Sequence, residues 1–281
     1  MVYKNVLYIV CMVLLSTLAV GCQDGESSQQ AAHDQQTSGW AQVTLEPRPR
    51  LDHGRASAIE VAAIHAATPL QKQRLAVSQQ LVAGTGGTPG FEPNYVPMMD
   101  RAQAFRISDQ GMNSNVIAIV PVEERGVAHA YQQNLVYVAI ISGEKVTPIA
   151  TLVGSDAALL PQGLKLWRSS ATGKLRLFLV SCGPTFQGSA SLCLNGWEIE
   201  QSNGVVTRLI ALSGPETILD DDAMSLNVGF EKAMTVDVRL GAAVGLDVQQ
   251  SHRASLLEVE YTADSVEASL IGTYAAKIVI P

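Results

Sequence analysis

Two pairs of glutamates are the residues whose type and spacing first suggest chemistry. Glu198 and Glu200 lie two apart in Trp197-Glu198-Ile199-Glu200, and Leu257-Glu258-Val259-Glu260 repeats the arrangement. On a strand such residues share a face, and two carboxylates can serve glycoside hydrolysis as acid and base. That chemistry needs them on opposite sides of a scissile bond, which neighbours along one strand do not provide. Alternating polar and apolar faces account for both pairs without catalysis. Asp220-Asp221-Asp222, following Glu216, offers the oxygen ligands that calcium takes. The alternating acidic spacing and glycine of an EF-hand are missing, so a solvated acidic turn is the simpler reading.

Other chemistry is harder to assemble. His33, His53, His65, His129 and His252 are scattered, and no two have the close helical spacing of a zinc site. Ser142-Gly143-Glu144-Lys145 has the Ser-x-x-Lys spacing of some penicillin-binding enzymes, but there the serine opens a helix, whereas Ser142 precedes a hairpin turn. Trp167 and Trp197 stand at similar places before successive turns, which suits a repeated core position. No catalytic set and no cofactor site emerge. Gly84 to Gly90 follows a helix rather than a strand and lacks a following Lys-Ser/Thr, so it reads as a linker rather than a phosphate loop.

The elements that would hold these residues are mostly strands. From Asn115 onward short Val, Ile and Leu runs alternate with turn residues. Turns at Gly143, Gly173 and Asn203-Gly204 align three hairpins, and Asn-Gly is a strong hairpin signal. Fainter copies run from Ser225 to Leu240, turning near Glu231-Lys232, and from Leu257 to Gly272, turning at Ala263-Asp264. About five hairpins with a period near 30 residues are expected, with Ala275 to Ile280 as a closing strand. Upstream, Ser57-Ala58-Ile59-Glu60 has the capping-box pattern, and Pro69 suits a first helical position. A pair of short helices is expected over 57–67 and 69–82, breaking at Thr68, with Ile59, Ala62, Ala63 and Ala66 on one face and Leu70, Val77 and Leu81 on another. A further short helix is expected within 94–105. The fold class is therefore mainly β, a tandem hairpin meander closing as a sandwich, barrel or propeller-like sheet, with a short N-terminal helical pair.

The start of the chain carries a different signal. Lys4 precedes an apolar run from Val6 to Val20, which is shorter than the ~20 residues of a membrane span and has the length of a secretory h-region. Leu18-Ala19-Val20-Gly21-Cys22 closes it. This resembles the lipobox of bacterial lipoproteins, with Ala19 where leucine is commoner. The resemblance implies cleavage after Gly21, acylation of Cys22 and a cell-envelope location held by membrane lipid. Several acyl chains, each methylene adding ~0.8 kcal/mol, anchor stably. Gln23, rather than aspartate, favours the outer membrane. In that oxidising compartment Cys182 and Cys193 remain as an even pair, and a disulfide stapling the loop between them is expected.

Four segments follow: a signal peptide over 1–21, a flexible polar tether over 22–50 rich in Gln, Ser and Asp, a helical segment over 51–110, and a β-hairpin domain over 111–281. The net charge of −7 argues against nucleic acid or an anionic membrane surface as partner. Charged residues make up 16% and hydrophobic ones 47%, so most of the chain should pack. These features favour an envelope lipoprotein with a non-enzymatic binding or scaffolding role in the periplasm or at the outer membrane, a protein of the envelope being one candidate partner. The alternatives are an envelope hydrolase whose site forms only in three dimensions, and an immunity or inhibitor lipoprotein whose acidity suits a basic partner.

Overall fold

A computed structural model describes residues 39–48, 50–83, 93–109, 115–127, 132–153, 156–182, 189–218, 225–229, 234–244, 253–263 and 272–280. Fourteen strands and one helix make up its elements. In chain order they are β1 (Trp40–Arg48), α1 (His53–Ala83), β2 (Asn94–Pro97), β3 (Gln103–Ser108), β4 (Asn115–Arg125), β5 (Leu135–Ser142) and β6 (Lys145–Val153). Then come β7 (Asp156–Ser169), β8 (Leu175–Cys182), β9 (Ser189–Glu200), β10 (Val205–Ile218), β11 (Ser225–Gly229), β12 (Met234–Val244), β13 (Ser255–Ala263) and β14 (Gly272–Ile280).

The strands pair antiparallel along the path β13-β14-β12-β10-β9-β8-β7-β1-β3-β4-β5-β6, with β11 on β12 and β2 on β4. Together β1 and β7–β14 form a near-closed, nine-stranded, barrel-like sheet, and β2–β6 form a small sheet beside it. The sandwich and propeller alternatives give way to this barrel-like closure, which leaves few unpaired edges.

Three apolar layers explain the composition of the strands. In β4 and β5, Ile117, Ile119, Val136 and Val138 face the barrel wall, where they meet Leu175, Leu177 and Leu179 of β8 and Trp197 of β9. Their neighbours Ala118, Val120, Leu135, Tyr137 and Ile141 pack under the helix with Ile59, Ala63 and Ala67. Strands buried on both faces read as unbroken apolar runs, as these do. Inside the barrel, Phe178 and Val180 of β8 join Leu194, Ile210, Leu212, Met234 and Ile278. Gly196 pairs with Phe178 on one side and Ile210 on the other. A Cβ there would stand 2.7 Å from Ile210 and 2.8 Å from Phe178, so only glycine fits.

Four of the five expected hairpins are present as β5–β6, β7–β8, β9–β10 and β11–β12. Gly143, Gly173 and Gly204 all adopt positive φ, at 62°, 68° and 73°, a conformation that glycine enters without strain. Gly173 and Gly204 close the same kind of turn: each donates its N–H to the carbonyl four residues back, to Ser169 at 2.9 Å and Glu200 at 2.8 Å. The return strand expected over 266–271 lies outside the described residues; β13 pairs with β14, Gly272–Ile280, which takes in the expected closing strand from Ala275 to Ile280.

Three expectations are corrected. The helical pair is one continuous helix, α1, with Pro69 inside it. A buried stripe of Ile59, Ala63, Ala67, Leu70 and Ser78 runs straight through the proline, and this packing outweighs the one intrahelical bond that proline removes. The helix starts earlier than expected: the Asp52 side chain accepts from Arg55 N at 3.0 Å, so Asp52 is the cap and Ser57 lies inside. Second, the helix expected within 94–105 is β2 and β3, whose pairing with β4 and burial of Tyr95 override local propensity. Third, the expected tether over 22–50 contains β1. That strand bonds to β7 through Trp40–Val43 and to β3 through Thr44–Arg48, which joins the two sheets. With β1, β2 and β3 all in shared sheets, 51–110 is not a separate helical segment.

Candidate functional site

The register of β8 and β9 sets Arg176 directly opposite Glu198. Both side chains are buried, and the guanidinium reaches one carboxylate oxygen through Nε at 3.2 Å and a terminal nitrogen at 3.1 Å. Lys174 bridges Glu198 at 3.0 Å and Glu200 at 2.9 Å, and Arg253 lies 3.6 Å from Glu198. Arg176 also stacks 4.3 Å over the Trp40 ring and touches Met234 Sδ at 3.4 Å. Burial pushes the Glu198 carboxyl up, but Lys174 and Arg176 outweigh it and hold it below its ordinary value. Hydrogen bonds from Lys174 and then Asn203 hold Glu200 low as well. Glu198 and Glu200 do share a face. Both are ionised and paired to cations, so neither keeps the proton that a general acid must supply.

A second polar cluster lines an open crevice of about 380 Å³. It sits where β1 leaves β7 and takes up β3. Residues 41–44 of β1 form one wall, Ser108 and Asp109 at the end of β3 another, and Arg168 to Ser170 with Gly173 of the β7–β8 turn the third. Arg168 donates to Asp109 at 2.7 Å across it. Ser108 donates its hydroxyl to Glu46 at 2.6 Å. Glu46 is held below its ordinary value by Ser108 first and by Arg106 second. Ser170 Oγ donates to the Gly39 carbonyl at 3.1 Å. Volumes of roughly 300–1,000 Å³ hold small-molecule ligands, so this crevice lies at the small end of that range.

A third ionic contact is structural. Glu124, wholly buried, takes two hydrogen bonds of 2.8 Å from Arg74 and one of 2.6 Å from Gln133 N. It ties α1 to β4, and the adjacent Tyr95 hydroxyl is pushed up to about 12 by burial and by the Glu124 charge.

Several expected site residues fall elsewhere. Cys22 and Asp220, Asp221 and Asp222 lie outside the described residues, and no cluster of metal-ligating groups occurs among the residues described. No disulfide is seen among them either. The backbone of Cys182 pairs with Leu192, and Cys193 pairs with Ser181. The cations around Glu198 escaped sequence reasoning because Lys174 and Arg176 precede it by one hairpin. The hairpin period of about 30 residues was the available signal. The crevice escaped sequence reasoning because β1, whose Val43 and Leu45 alternate with polar residues, groups with the polar stretch before it.

Fold and site together define a mainly β protein, a barrel-like sheet with a polar crevice at the strand that joins it to a smaller sheet. No protein family, curated protein or solved structure matches the chain.

Proposed function

We propose that the protein is an envelope lipoprotein, anchored through acylated Cys22, whose β domain binds or scaffolds a partner in the periplasm or at the outer membrane without catalysing a reaction. The observation that carries this reading is Leu18–Cys22 closing the apolar run from Val6. The polar stretch after Cys22 leads to β1 at Trp40. Residues 23–38 of that stretch lie outside the described residues. A hydrolase reading is weakened by the state of Glu198 and Glu200, both tied to cations.

Metabolic labelling with a fatty acid, followed by membrane fractionation, tests the anchor. The native chain is expected in the membrane fraction with label, and Cys22→Ala in the soluble fraction without it. A Cys22→Ala chain that stays membrane-bound overturns the lipoprotein reading.

A further inference from the structure

We propose that the crevice between β1, the end of β3 and the β7–β8 turn binds a small neutral polyol, a saccharide of one or two rings. The argument is one of charge and hydrogen-bond polarity. Arg168 and Asp109 are paired at 2.7 Å across the crevice, so its charges cancel. An anion would have to draw Arg168 away from Asp109, and a cation would have to draw Asp109 away from Arg168. Drawing Arg168 away leaves the half-buried Asp109 carboxylate uncompensated, and a cation at Asp109 meets the Arg168 charge beside it.

The hydroxyls narrow the ligand further. Ser108 spends its proton on Glu46 and Ser170 spends its own on the Gly39 carbonyl. Toward the crevice both present lone pairs, and a carboxylate such as Asp109 only accepts. A ligand that fits must therefore donate hydrogen bonds while remaining uncharged, and sugar hydroxyls do both. Gln42 and Thr44 on the β1 wall can donate or accept, which suits the ring and acetal oxygens that accompany those hydroxyls. The small volume limits the ligand to one or two rings.

The inference deepens the binding reading above, but its test is separate from that of the anchor. The full chain, held in a detergent without a sugar headgroup, is titrated with a panel of neutral mono- and disaccharides, with inorganic phosphate and with a linear diamine, while backbone amide resonances are followed. At least one saccharide is expected to bind with a dissociation constant of about 1 mM or tighter. Its shifts should concentrate at Gln42, Thr44, Asp109 and Ser170. Thr44→Val, which keeps the shape of an exposed strand residue, and Asp109→Asn should each weaken that binding roughly tenfold, the effect of losing one good hydrogen bond. Stronger binding of phosphate or diamine at the crevice overturns the proposal. So does the absence of any saccharide shift, or a saccharide shift that both variants leave unchanged. Membrane release of Cys22→Ala has no bearing on these outcomes.

Discussion

At the scale of single residues, Glu198 gathers the densest set of ion pairs among the described residues. It is a nearly buried carboxylate with three cations around it, and they hold its folded value below the ordinary one despite burial. A carboxyl whose pKa is depressed by folding contributes stability that is complete above its unfolded value, 4.5 here, and is lost as pH falls through the folded value. Urea midpoints measured from pH 7 downward should therefore fall in the native chain once the pH drops below the ordinary carboxylate range. Glu198→Gln should start less stable at neutral pH and lose less on acidification. Parallel curves for the two proteins would show that the cations do not stabilise the ionised form. The residue types at 198 and 200 are plain in the sequence, and so is their shared face. Their chemistry is not, because it depends on Lys174, at the turn before β8, and Arg176, within β8, being brought against them.

At the scale of elements, α1 shows packing prevailing over a local break. Pro69 lies in the interior of a 31-residue helix and lacks the N–H that would reach the carbonyl four residues back. Its side chain is exposed, so the ring does nothing for the core. The Thr68 hydroxyl donates to the Ile64 carbonyl at 2.9 Å, one turn back. Pro69→Ala should accordingly raise stability, by up to about 3 kcal/mol, read as a higher urea midpoint with an unchanged slope. A loss of stability would mean that the proline shapes the stripe beneath it. The hairpins were the most legible elements. Their turn glycines are fixed by backbone stereochemistry within a few residues, so Gly143, Gly173 and Gly204 announce themselves locally. By contrast β1, β2 and β3 are strands because of their partners, and the short alternation of Val43 and Leu45 with Gln42, Thr44 and Glu46 in β1 is a weaker notice than a turn glycine.

At the scale of the whole molecule, both sheets rest on a shared core. Ile119 on β4 and Leu177 on β8 belong to one buried cluster, and Val43 of β1 is part of it too. The three tryptophans stand on β1, β7 and β9, all strands of the barrel-like sheet, so their fluorescence reports that sheet. Ile119→Ala, in the small sheet, should cost about 2–5 kcal/mol. The tryptophan signal and the far-ultraviolet circular dichroism should then shift by the same amount in one cooperative transition. A tryptophan midpoint that does not move would mean that the sheets unfold as independent domains.

The sequence by itself determined the hairpin repeat, the β class and the resemblance to a lipoprotein leader, because turn stereochemistry, side-chain alternation and a run of apolar residues are local properties. Only the tertiary structure decided the continuity of α1, the role of β1 as the strand joining two sheets, the cations that hold Glu198, and the crevice beside Arg168 and Asp109. Each of these depends on which distant segments meet. Strand register and burial set those meetings, and both are properties of the folded chain rather than of any stretch within it.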